Sequence, residues 1–478
     1  MRLADLADLR VAVWGYGREG RAAIAALQRR FPAKALTLFC SEAEGAAAGR
    51  AVALGSPATP SAPADAAVDI VTVPPDAAAL ARFDVVIKSP GISPYRAPYA
   101  EALQRGVRFT SGSALWFAGH AGARTICVTG TKGKSTVAAL IAHLLRKGGR
   151  RVALAGNIGL PLLDLPDVGD AGAAAEPDWW AIELSSFQTR DFGGAPTVAL
   201  INNVYEEHLD WHASRANYTA DKLAIAAHAR HVVVNGDQPE LANIGAAAAR
   251  SAFAVDSGWH VRDDAIWHGD ERVLPLSSIP LPGLHNVQNV CAALAAIDAA
   301  GEGARALAAH VATFKALPHR LQPLGARDGI DYVNDSISTT PYAAIEALRS
   351  LATRETTILV GGFDRGVSWR PFADYVAAHP PHAIVTIGAN RGVIDAALRT
   401  TEPRPLAPRA FAFESVPTLA EGFARARAQT RAGGVILLSP GAASFDQFRD
   451  YAERGREFAR LAGFDPAAIA QIEGLGIA

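Results

Sequence analysis

Residues 124–139 read Arg-Thr-Ile-Cys-Val-Thr-Gly-Thr-Lys-Gly-Lys-Ser-Thr-Val-Ala-Ala, and the rest of the chain is organised around them. Thr125 to Val128 are β-branched or apolar, which predicts a buried strand. A glycine loop, Gly130–Thr136, follows at once, and residues 137–146 then repeat apolar side chains at helical spacing. Strand, loop and helix together predict a phosphate site, because backbone N–H groups and a helix N-terminus stabilise negative charge.

The glycine loop also carries the side chains that a nucleoside triphosphate needs. Lys134 supplies a positive charge to the outer phosphates, and Ser135 supplies a hydroxyl that can bind Mg²⁺. The loop is two residues shorter than the common G-x-x-x-x-G-K-[ST] motif. A chance glycine turn is the alternative, but the Lys-Ser pair stands where the chemistry needs it. The predicted ATP-binding residues of the loop are Gly130, Thr131, Lys132, Gly133, Lys134, Ser135 and Thr136.

Length and composition are typical of a soluble globular protein with two to four domains. The chain has 478 residues, of which 50% are hydrophobic and 19% charged. A net charge of −1 provides no global field that would recruit nucleic acid or a membrane. Its three cysteines, Cys40, Cys127 and Cys291, fit neither a disulfide framework nor a metal spacing. Charges in the first ten residues argue against a signal peptide, and no stretch is a candidate membrane span. We expect a cytoplasmic monomer.

A Rossmann-like domain is predicted for residues 1–112. The strand Val11–Trp14 runs into Gly15-Tyr16-Gly17-Arg18-Glu19-Gly20, a G-x-G-x-x-G pattern, and then into an Ala-rich helix. The second strand, Ala35–Phe39, ends without a clean acidic residue for a ribose diol, which disfavours an NAD site and hence a dehydrogenase. Residues 55–79 are predicted to be a variable loop region.

A further strand of this domain ends in Lys88-Ser89-Pro90-Gly91-Ile92. Ligands bind at the carboxyl ends of strands in open α/β sheets, so this segment could contact a ligand. An ordinary turn explains the same residues equally well.

Polar residues follow the predicted strands of a central domain, residues 113–317. Glu183 lies inside an apolar strand, where its carboxylate could hold Mg²⁺. His208 follows the strand Val198–Asn203 and could be a second metal ligand, although its acidic neighbours could be an ordinary helix-start pair. Lys222 lies on a helical stretch, and by composition it is a surface lysine.

A third α/β unit is predicted for residues 318–478, because Pro318 precedes a return to strand periodicity. Just before it, Asn286 and Asn289 share one face of a predicted helix and could contact an adenine or cap the helix. Strand ends in the third unit carry Asp335-Ser336, Gly361–Gly366 and Ser439–Ser444. Loops at the same edge of one sheet can converge on one ligand.

In this order, the motifs resemble the Mur ligases, the cytoplasmic ATP-dependent ligases that build the peptidoglycan stem peptide. The resemblance runs through nearly the whole chain, and two of its motifs are similar to those of the glutamate-adding members. The segments that carry it are Ser89-Pro90-Gly91-Ile92, Gly130–Thr136, Gly156-Asn157-Ile158-Gly159, Glu183-Leu184-Ser185-Ser186-Phe187-Gln188, Glu207-His208-Leu209-Asp210, Lys222, His285-Asn286, Leu317-Pro318-His319-Arg320, Asn334-Asp335-Ser336 and Ser439-Pro440-Gly441.

The resemblance implies three α/β domains: a Rossmann-like domain for the UDP moiety, a central P-loop ATPase domain, and a Rossmann-like C-terminal domain for the acceptor amino acid. It implies that the carboxylate of UDP-N-acetylmuramoyl-L-alanine attacks ATP to form an acyl phosphate, which the amine of glutamate then displaces. The expected small-molecule partners are therefore UDP-N-acetylmuramoyl-L-alanine, glutamate and ATP, without nucleic acid or membrane.

Residue roles also follow from the resemblance. Two Mg²⁺ ions are implied, with Lys222 N-carboxylated and acting as a metal partner. The catalytic set is Lys134, Glu183, His208 and Lys222, and the metal set is Ser135, Glu183, His208 and Lys222. Asn286, Arg320 and Asp335 join the ATP site; Tyr16, Gly17, Arg18, Ser89 and Asn157 are implied for the UDP substrate; and Thr339, Arg365, Ser444 and Tyr451 are implied for the acceptor.

Departures from the family pattern fall on loops assigned to the acceptor. Members that add D-glutamate usually carry a lysine where this chain has Ile337, and a phenylalanine where it has Tyr451. Lys132 stands where asparagine is common. We favour an L-glutamate-adding ligase, with neutral drift within a D-glutamate ligase as the alternative.

Other readings remain in view. A folylpolyglutamate synthase-like ligase would lack the N-terminal nucleotide-binding domain, and a diamino-acid-adding ligase would show an Asp-Asn-Pro-Arg-type motif, which is not found. A non-catalytic nucleotide-binding module would not need Glu183, His208 and Lys222 together.

Overall fold

The computed structural model describes residues 1–53, 68–165, 176–244, 249–400 and 411–478. They form two compact units. Unit 1 consists of Met1–Leu276, Gln288–Val311 and Gly474–Ala478, and unit 2 of Ser277–Val287 and Ala312–Glu473. The predicted N-terminal domain and most of the predicted central domain fall within unit 1, whereas residues 277–287 and 312–317 of the predicted central domain belong to unit 2. The boundary near residue 112 stays a prediction. Within the described ranges, no helix is long and apolar enough to cross a lipid bilayer.

The first sheet of unit 1 is parallel and has the strand order β3-β2-β1-β4-β5. Its strands are β1 Val11–Trp14, β2 Leu36–Phe39, β3 Val68–Val71, β4 Val85–Lys88 and β5 Arg108–Thr110, and its helices are α1 Arg18–Arg30, α2 Glu42–Ala53, α3 Ala77–Leu80, α4 Tyr99–Gln104 and α5 Gly112–Gly119. Strand β1 is apolar throughout and β4 is apolar up to its last residue, Lys88, as central parallel strands must be to bury both faces.

The prediction that residues 55–79 form a loop is wrong in part. Strand β3 lies inside this range and helix α3 begins in it, while residues 54–67 fall outside the described part of the chain. Strand β3 pairs only with β2 and stays partly exposed, so it needs less apolar sequence than a central strand and is easily missed among Ala, Pro and Asp.

The second sheet of unit 1 has seven strands in the order β11-β10-β9-β6-β8-β7 followed by the C-terminal strand Gly476–Ile477, which alone is antiparallel. The other strands are β6 Thr125–Thr129, β7 Val152–Gly156, β8 Trp179–Glu183, β9 Val198–Ile201, β10 His231–Asn235 and β11 Ala249–Phe253. Its helices are α6 Lys134–Lys147, α7 Ser186–Arg190, α8 Leu209–His212, α9 Arg215–Leu223, α10 Leu284–Ala299, whose first turn belongs to unit 2, and α11 Ala304–Leu307.

A small antiparallel sheet in unit 1 was not predicted. It contains β12 Trp259–Arg262, β13 Ala265–His268 and β14 Glu271–Pro275. These strands are short and mix charged residues with apolar ones, so no long apolar run marks them.

Unit 2 is a six-stranded sheet in the order β15-β16-β20-β17-β18-β19, parallel except for β15. Its strands are β15 Gln322–Arg327, β16 Ile330–Asn334, β17 Thr356–Val360, β18 Ala383–Thr386, β19 Ala412–Ser415 and β20 Val435–Leu438, and its helices are α12 Pro341–Ser350, α13 Arg370–Ala378, α14 Arg391–Thr400, α15 Leu419–Gln429 and α16 Tyr451–Leu461. Strands β16, β20 and β17 are neighbours, so the loops that follow them lie at one edge of the sheet, as predicted.

Candidate active site

The glycine loop joins β6 to α6 as predicted, and Gly133 is its tightest point. Gly133 has a φ of +80°, and a Cβ there would lie 2.3 Å from Oδ1 of Asn289 and 2.6 Å from Nδ2 of Asn202. Only glycine combines this left-handed conformation with so close an approach. The loop therefore passes directly into the first turn of α6, and the N-terminus of a helix attracts an anion.

Two asparagines hold the loop backbone on both sides of Lys132. Its N–H donates to Oδ1 of Asn203 at 2.8 Å, and its carbonyl accepts from Nδ2 of Asn202 at 3.0 Å and from Nδ2 of Asn203 at 3.1 Å. The predicted strand Val198–Asn203 included both asparagines, and no role was predicted for either. The available signal was two consecutive amides at the end of β9, the strand next to β6.

Two lysines lie along the inner side of the loop. Nζ of Lys134 donates to the carbonyl of Thr131 at 3.1 Å, and Nζ of Lys222 donates to the carbonyl of Gly130 at 2.9 Å. Lys222 is 2% exposed, so the reading as a surface lysine is wrong. The reason is that helix α9 turns this residue towards the loop, above the ring of Tyr218. Burial, and then the charge of Lys134, lower the pKa of Lys222 to about 7.

A third lysine belongs to the loop itself, and its side chain points towards solvent. Lys132 is exposed, and its Nζ forms an ion pair with Oε1 of Glu207 at 2.7 Å. Burial acts to raise the pKa of Glu207, but the hydrogen bond and charge of Lys132 lower it overall. Lys132 and Lys134 thus bring two positive charges to the loop, and Lys222 adds a partly protonated amine, which suits a polyphosphate.

Glu183 ends β8, the other neighbour of β6, and is almost completely buried. Its Oε1 accepts from Nδ2 of Asn157 at 2.8 Å, while its buried Oε2 accepts no hydrogen bond from any described residue. A buried carboxylate oxygen without a donor is costly unless a cation binds it. This oxygen fits a Mg²⁺ ligand. Asn157, predicted for the UDP substrate, here orients the carboxylate.

His208 immediately precedes α8 with a φ of +56°, and its ring is about half exposed beside the ring of Phe187. Burial lowers its pKa, which favours the neutral imidazole that a metal needs. The described residues contain no cluster of three or more His, Cys, Asp or Glu side chains that could hold a metal alone. Nucleotide-bound Mg²⁺ typically uses only one or two protein carboxylates with phosphate oxygens and water, so this finding is compatible with Glu183 as a ligand.

The N-terminal glycine turn lies next to Ser89, and the role of these residues in a UDP site stays a prediction. Gly15 has a φ of +95°, and a Cβ there would lie 2.8 Å from Oγ of Ser89, which donates to the carbonyl of Gly15 at 2.9 Å. Tyr16 follows, and Gly17 and Arg18 are exposed. Although β2 carries no acidic residue at its tip, Glu44 from the next helix reaches this turn and accepts from the N–H of Tyr16 at 3.3 Å.

A buried polar network beside Lys222 was not predicted from the sequence. Asp221 accepts from the hydroxyl of Tyr95 at 2.8 and 2.9 Å and lies 2.7 Å from Nδ1 of His212, whose Nε2 is 3.0 Å from Oγ of Ser186. Tyr95 comes from the first sheet's domain, and the other three residues come from α7, α8 and α9. The network therefore fixes the base of α9, on which Lys222 lies.

In unit 2, two of the four residues implied for the acceptor line one cavity. Thr339 and Arg365 border it, together with Trp369 and Asn390. Ser444 is buried one residue beyond the lining residue Ala443, and Tyr451 is exposed at the start of α16. The structure thus brings Thr339 and Arg365 together and leaves Tyr451 outside the cavity lining.

Three residues of unit 2 are implied for nucleotide binding: Asn286, Arg320 and Asp335. Asp335 and Asn286 form hydrogen bonds with other residues of unit 2. Asp335 is buried and accepts from Oγ of Ser439 at 2.7 Å and from the N–H of Leu321 at 3.0 Å. Burial raises its pKa to about 6. Asn286 donates to the carbonyl of Pro282 at 2.7 Å, near the start of α10. For these two residues and Arg320, nucleotide binding stays a prediction.

Comparison with known proteins adds an independent finding. Residues 128–297 match the family described as the Mur ligase middle domain. Over 100% of both chains, the sequence is 48% identical to a UDP-N-acetylmuramoyl-L-alanine--L-glutamate ligase from Xanthomonas euvesicatoria and 48% identical to one from Xylella fastidiosa. A third ligase of that name, from Micromonospora, is 39% identical over 96% of this chain and 97% of its own.

Solved structures show the same fold. A UDP-N-acetylmuramate-alanine ligase from Thermotoga maritima matches 95% of this chain and 99% of its own with a TM-score of 0.58 and 17% identity. A MurF ligase from Thermotoga maritima in complex with ADP matches 97% of this chain and 96% of its own with a TM-score of 0.53 and 14% identity. These likenesses concern the fold alone.

Proposed function

The chain belongs to the Mur ligase family, and on that premise we propose that it joins L-glutamate to UDP-N-acetylmuramoyl-L-alanine, with ATP, in peptidoglycan precursor synthesis. The observation that carries the proposal is identity of 47–48% over the full length of relatives named for this reaction. The charge arrangement around the glycine loop is consistent with ATP as the substrate. A folylpolyglutamate synthase-like reading loses its support, because the N-terminal sheet β1–β5 is present.

The first step is phosphoryl transfer to the donor. The carboxylate of UDP-N-acetylmuramoyl-L-alanine attacks the γ-phosphorus of ATP, and the bond from this phosphorus to the β–γ bridging oxygen breaks. The products are an acyl phosphate and ADP. Lys134 would neutralise the outer phosphates, and the amides of Asn202 and Asn203 keep the loop in place without reorganisation. Fixed charges and dipoles of this kind stabilise the transition state more than mobile water does.

The second step forms the amide. The amine of glutamate, after losing a proton, attacks the acyl carbon, and inorganic phosphate leaves. In this proposal Thr339, Arg365 and Ser444 bind the carboxylates of the acceptor, through two hydroxyls and one positive charge. Ile337 cannot carry the charge that a lysine supplies to D-glutamate-adding members, which favours L-glutamate. The D-glutamate-adding reaction remains the second candidate.

Metal binding is part of the proposal. Glu183 and Ser135 would hold one Mg²⁺, and His208 with an N-carboxylated Lys222 would hold a second. Bound Mg²⁺ would neutralise the charge on the β- and γ-phosphates. A Lys222 pKa of about 7 leaves a sizeable neutral fraction of the amine near neutral pH, which carboxylation by CO₂ requires. A ¹³C-bicarbonate NMR signal present in the wild type and absent in Lys222→Ala would support the carbamate; identical spectra would contradict it.

The decisive assay is phosphate release from ATP with Mg²⁺ and UDP-N-acetylmuramoyl-L-alanine, with L-glutamate, D-glutamate, L-lysine or diaminopimelate offered separately. We expect release with L-glutamate. Release with D-glutamate alone would keep the ligase and overturn the acceptor assignment. Release that no amino acid stimulates would overturn the ligase.

We place the proposed enzyme in the cytoplasm, because its nucleotide-linked donor and ATP are cytoplasmic substrates, and we further propose that it is a monomer. Sedimentation at assay concentrations should give a single species near the chain mass of 50.0 kDa. A species of twice that mass under turnover conditions would contradict the monomer.

A further inference from the structure

Arg454 is a buried guanidinium beneath the acceptor edge of unit 2. We use this name for the loops that follow β16, β17 and β20, which contain Ser336–Thr339, Gly361–Arg365 and Ser439–Ser444. It lies on α16 and is 2% exposed, among the largest fully buried side chains of the protein. Arginine is rarely buried without partners that justify its charge. No motif of the sequence analysis involves this residue.

Its hydrogen bonds connect the ends of two neighbouring strands. Nε donates to Oγ of Ser336 at 3.1 Å and Nη2 to the carbonyl of Ser336 at 2.9 Å, just after β16. Nη2 also donates to the carbonyl of Ala442 at 3.0 Å, in the loop after β20. The hydroxyl of Ser336 continues to the carbonyl of Tyr451 at 2.7 Å, which ties the first turn of α16 to the same loop.

The remaining nitrogen faces the end of a third strand. A Cβ on Gly362, after β17, would lie 3.1 Å from Nη1. Nη1 is buried and has no acceptor within the described part of the chain. Arg454 therefore spans the ends of β16, β20 and β17, which are consecutive in the sheet.

The loops that Arg454 connects also line the acceptor cavity. Thr339 lies in the same loop as Ser336, after β16. Ala442 and Ala443 belong to the loop after β20, and Phe363 and Arg365 belong to the loop after β17. Burial lowers the pKa of Arg454 to about 10, so the guanidinium stays charged at neutral pH. A fixed positive charge and an unused pair of N–H donors thus lie beneath a cavity whose expected ligand carries two carboxylates.

We propose that Arg454 is a positioning residue for the acceptor: it holds the loops after β16, β17 and β20 at the spacing that the acceptor's carboxylates require, and it supplies a positive charge beneath them. This inference rests on the proposed function. It assigns no contact with the reacting atoms, and it predicts an effect on acceptor binding rather than on ATP chemistry.

The test compares Arg454→Lys and Arg454→Met with Arg460→Met. Arg460 lies on the same helix but is exposed and pairs with Glu457, so it controls for loss of an arginine from α16. Losing two or three charge-assisted hydrogen bonds should raise KM for L-glutamate about 10- to 100-fold in the Arg454 variants. KM for ATP and for UDP-N-acetylmuramoyl-L-alanine should stay within about twofold, and Arg460→Met should match the wild type.

Thermal unfolding identifies a temperature at which each variant is folded, and if Arg454→Met does not fold, Arg454→Lys carries the test. An unchanged KM for L-glutamate in folded Arg454→Lys would overturn the inference. So would an equal rise of all three KM values, or a loss of kcat alone. Failure of the proposed function is distinguishable, because it would appear as wild-type protein without L-glutamate-dependent phosphate release.

Discussion

The glycine loop of unit 1 and the acceptor edge of unit 2 solve the same structural problem in different ways. Both lie at the carboxyl ends of parallel strands, where α/β sheets bind ligands. The glycine loop is one continuous segment, Gly130–Thr136, whose backbone is held by two asparagines from the next strand. The acceptor edge is assembled from three loops distant in sequence, and one buried side chain, Arg454, connects them.

The difference reflects the ligands that the two sites are expected to take. A triphosphate is highly charged, and it is bound by backbone N–H groups and lysines that a short segment can supply. A small amino acid offers two carboxylates and an amine, and a few side chains placed accurately must bind it. We therefore expect lesions in the loop to abolish the chemistry and lesions at the edge to weaken acceptor binding.

Lys134→Ala should have the largest effect. Removing the loop's phosphate-gripping charge should lower kcat for phosphate release by on the order of 10³-fold or more. Lys147→Ala, at the exposed end of the same helix, is the matched control and should behave as the wild type. Full activity of Lys134→Ala would remove the basis for calling this loop the ATP site.

Glu183→Gln should come next. The amide can still accept from Asn157, but it loses the charge that a cation needs, so kcat should fall by on the order of 10²-fold and the Mg²⁺ concentration for half-maximal rate should rise. Asp178→Asn, just before the other end of β8, should leave the Mg²⁺ dependence unchanged. If Glu183→Gln kept the wild-type Mg²⁺ dependence, its buried oxygen would not be a metal ligand.

Thr339→Val tests the acceptor edge with a smaller change. The substitution keeps the shape of the side chain and removes its hydroxyl, so KM for L-glutamate should rise about 5- to 20-fold. KM for ATP should stay the same, which serves as the internal control. A fall in kcat with unchanged KM for glutamate would place Thr339 in the chemistry and blur the contrast between the two regions.

The smallest effect concerns stability, away from both regions. Burial raises the pKa of Glu19 to about 7 from an ordinary 4.5, and its Oε1 accepts from Nε2 of Gln188 at 2.9 Å. Between those pH values the folded protein binds a proton that the unfolded chain releases, so this carboxyl lowers the free energy of unfolding as pH rises.

Glu19→Gln keeps the hydrogen bond and removes the titration. In urea unfolding it should be more stable than the wild type by about 1–3 kcal/mol at pH 8, and the difference should vanish near pH 4.5. A constant difference at all pH values would mean that Glu19 is not the titrating group.

Local pattern was sufficient for the inner parallel strands of the three large sheets and for the glycine loop, but it missed edge strands such as β3. Short β-branched and apolar runs that end in a glycine turn, such as Thr125–Val128, predict buried strands, and phosphate chemistry accounts for the spacing of Gly133, Lys134 and Ser135. Glu183 was identifiable because a carboxylate inside an apolar strand is unusual. The resemblance to the Mur ligases then supplied the domain organisation and the residue roles that the separate motifs could not.

Tertiary contacts decided what the pattern could not show. Lys222 and Arg454 are long charged residues on helices, and a sequence gives no sign of which neighbours turn them inward. Asn202 and Asn203 hold the loop only because β9 lies beside β6 in the sheet. Strands β12–β14 carry too few apolar residues to be recognised without their partners.

The central claim is that the glycine loop activates the donor as an acyl phosphate before the acceptor reacts. It is tested most directly with UDP-N-acetylmuramoyl-L-alanine labelled with ¹⁸O in its carboxylate, incubated with ATP, Mg²⁺ and L-glutamate. We predict that each phosphate released carries one oxygen from that carboxylate, as mass spectrometry would detect. Released phosphate without ¹⁸O, during amide formation or without it, would contradict the account.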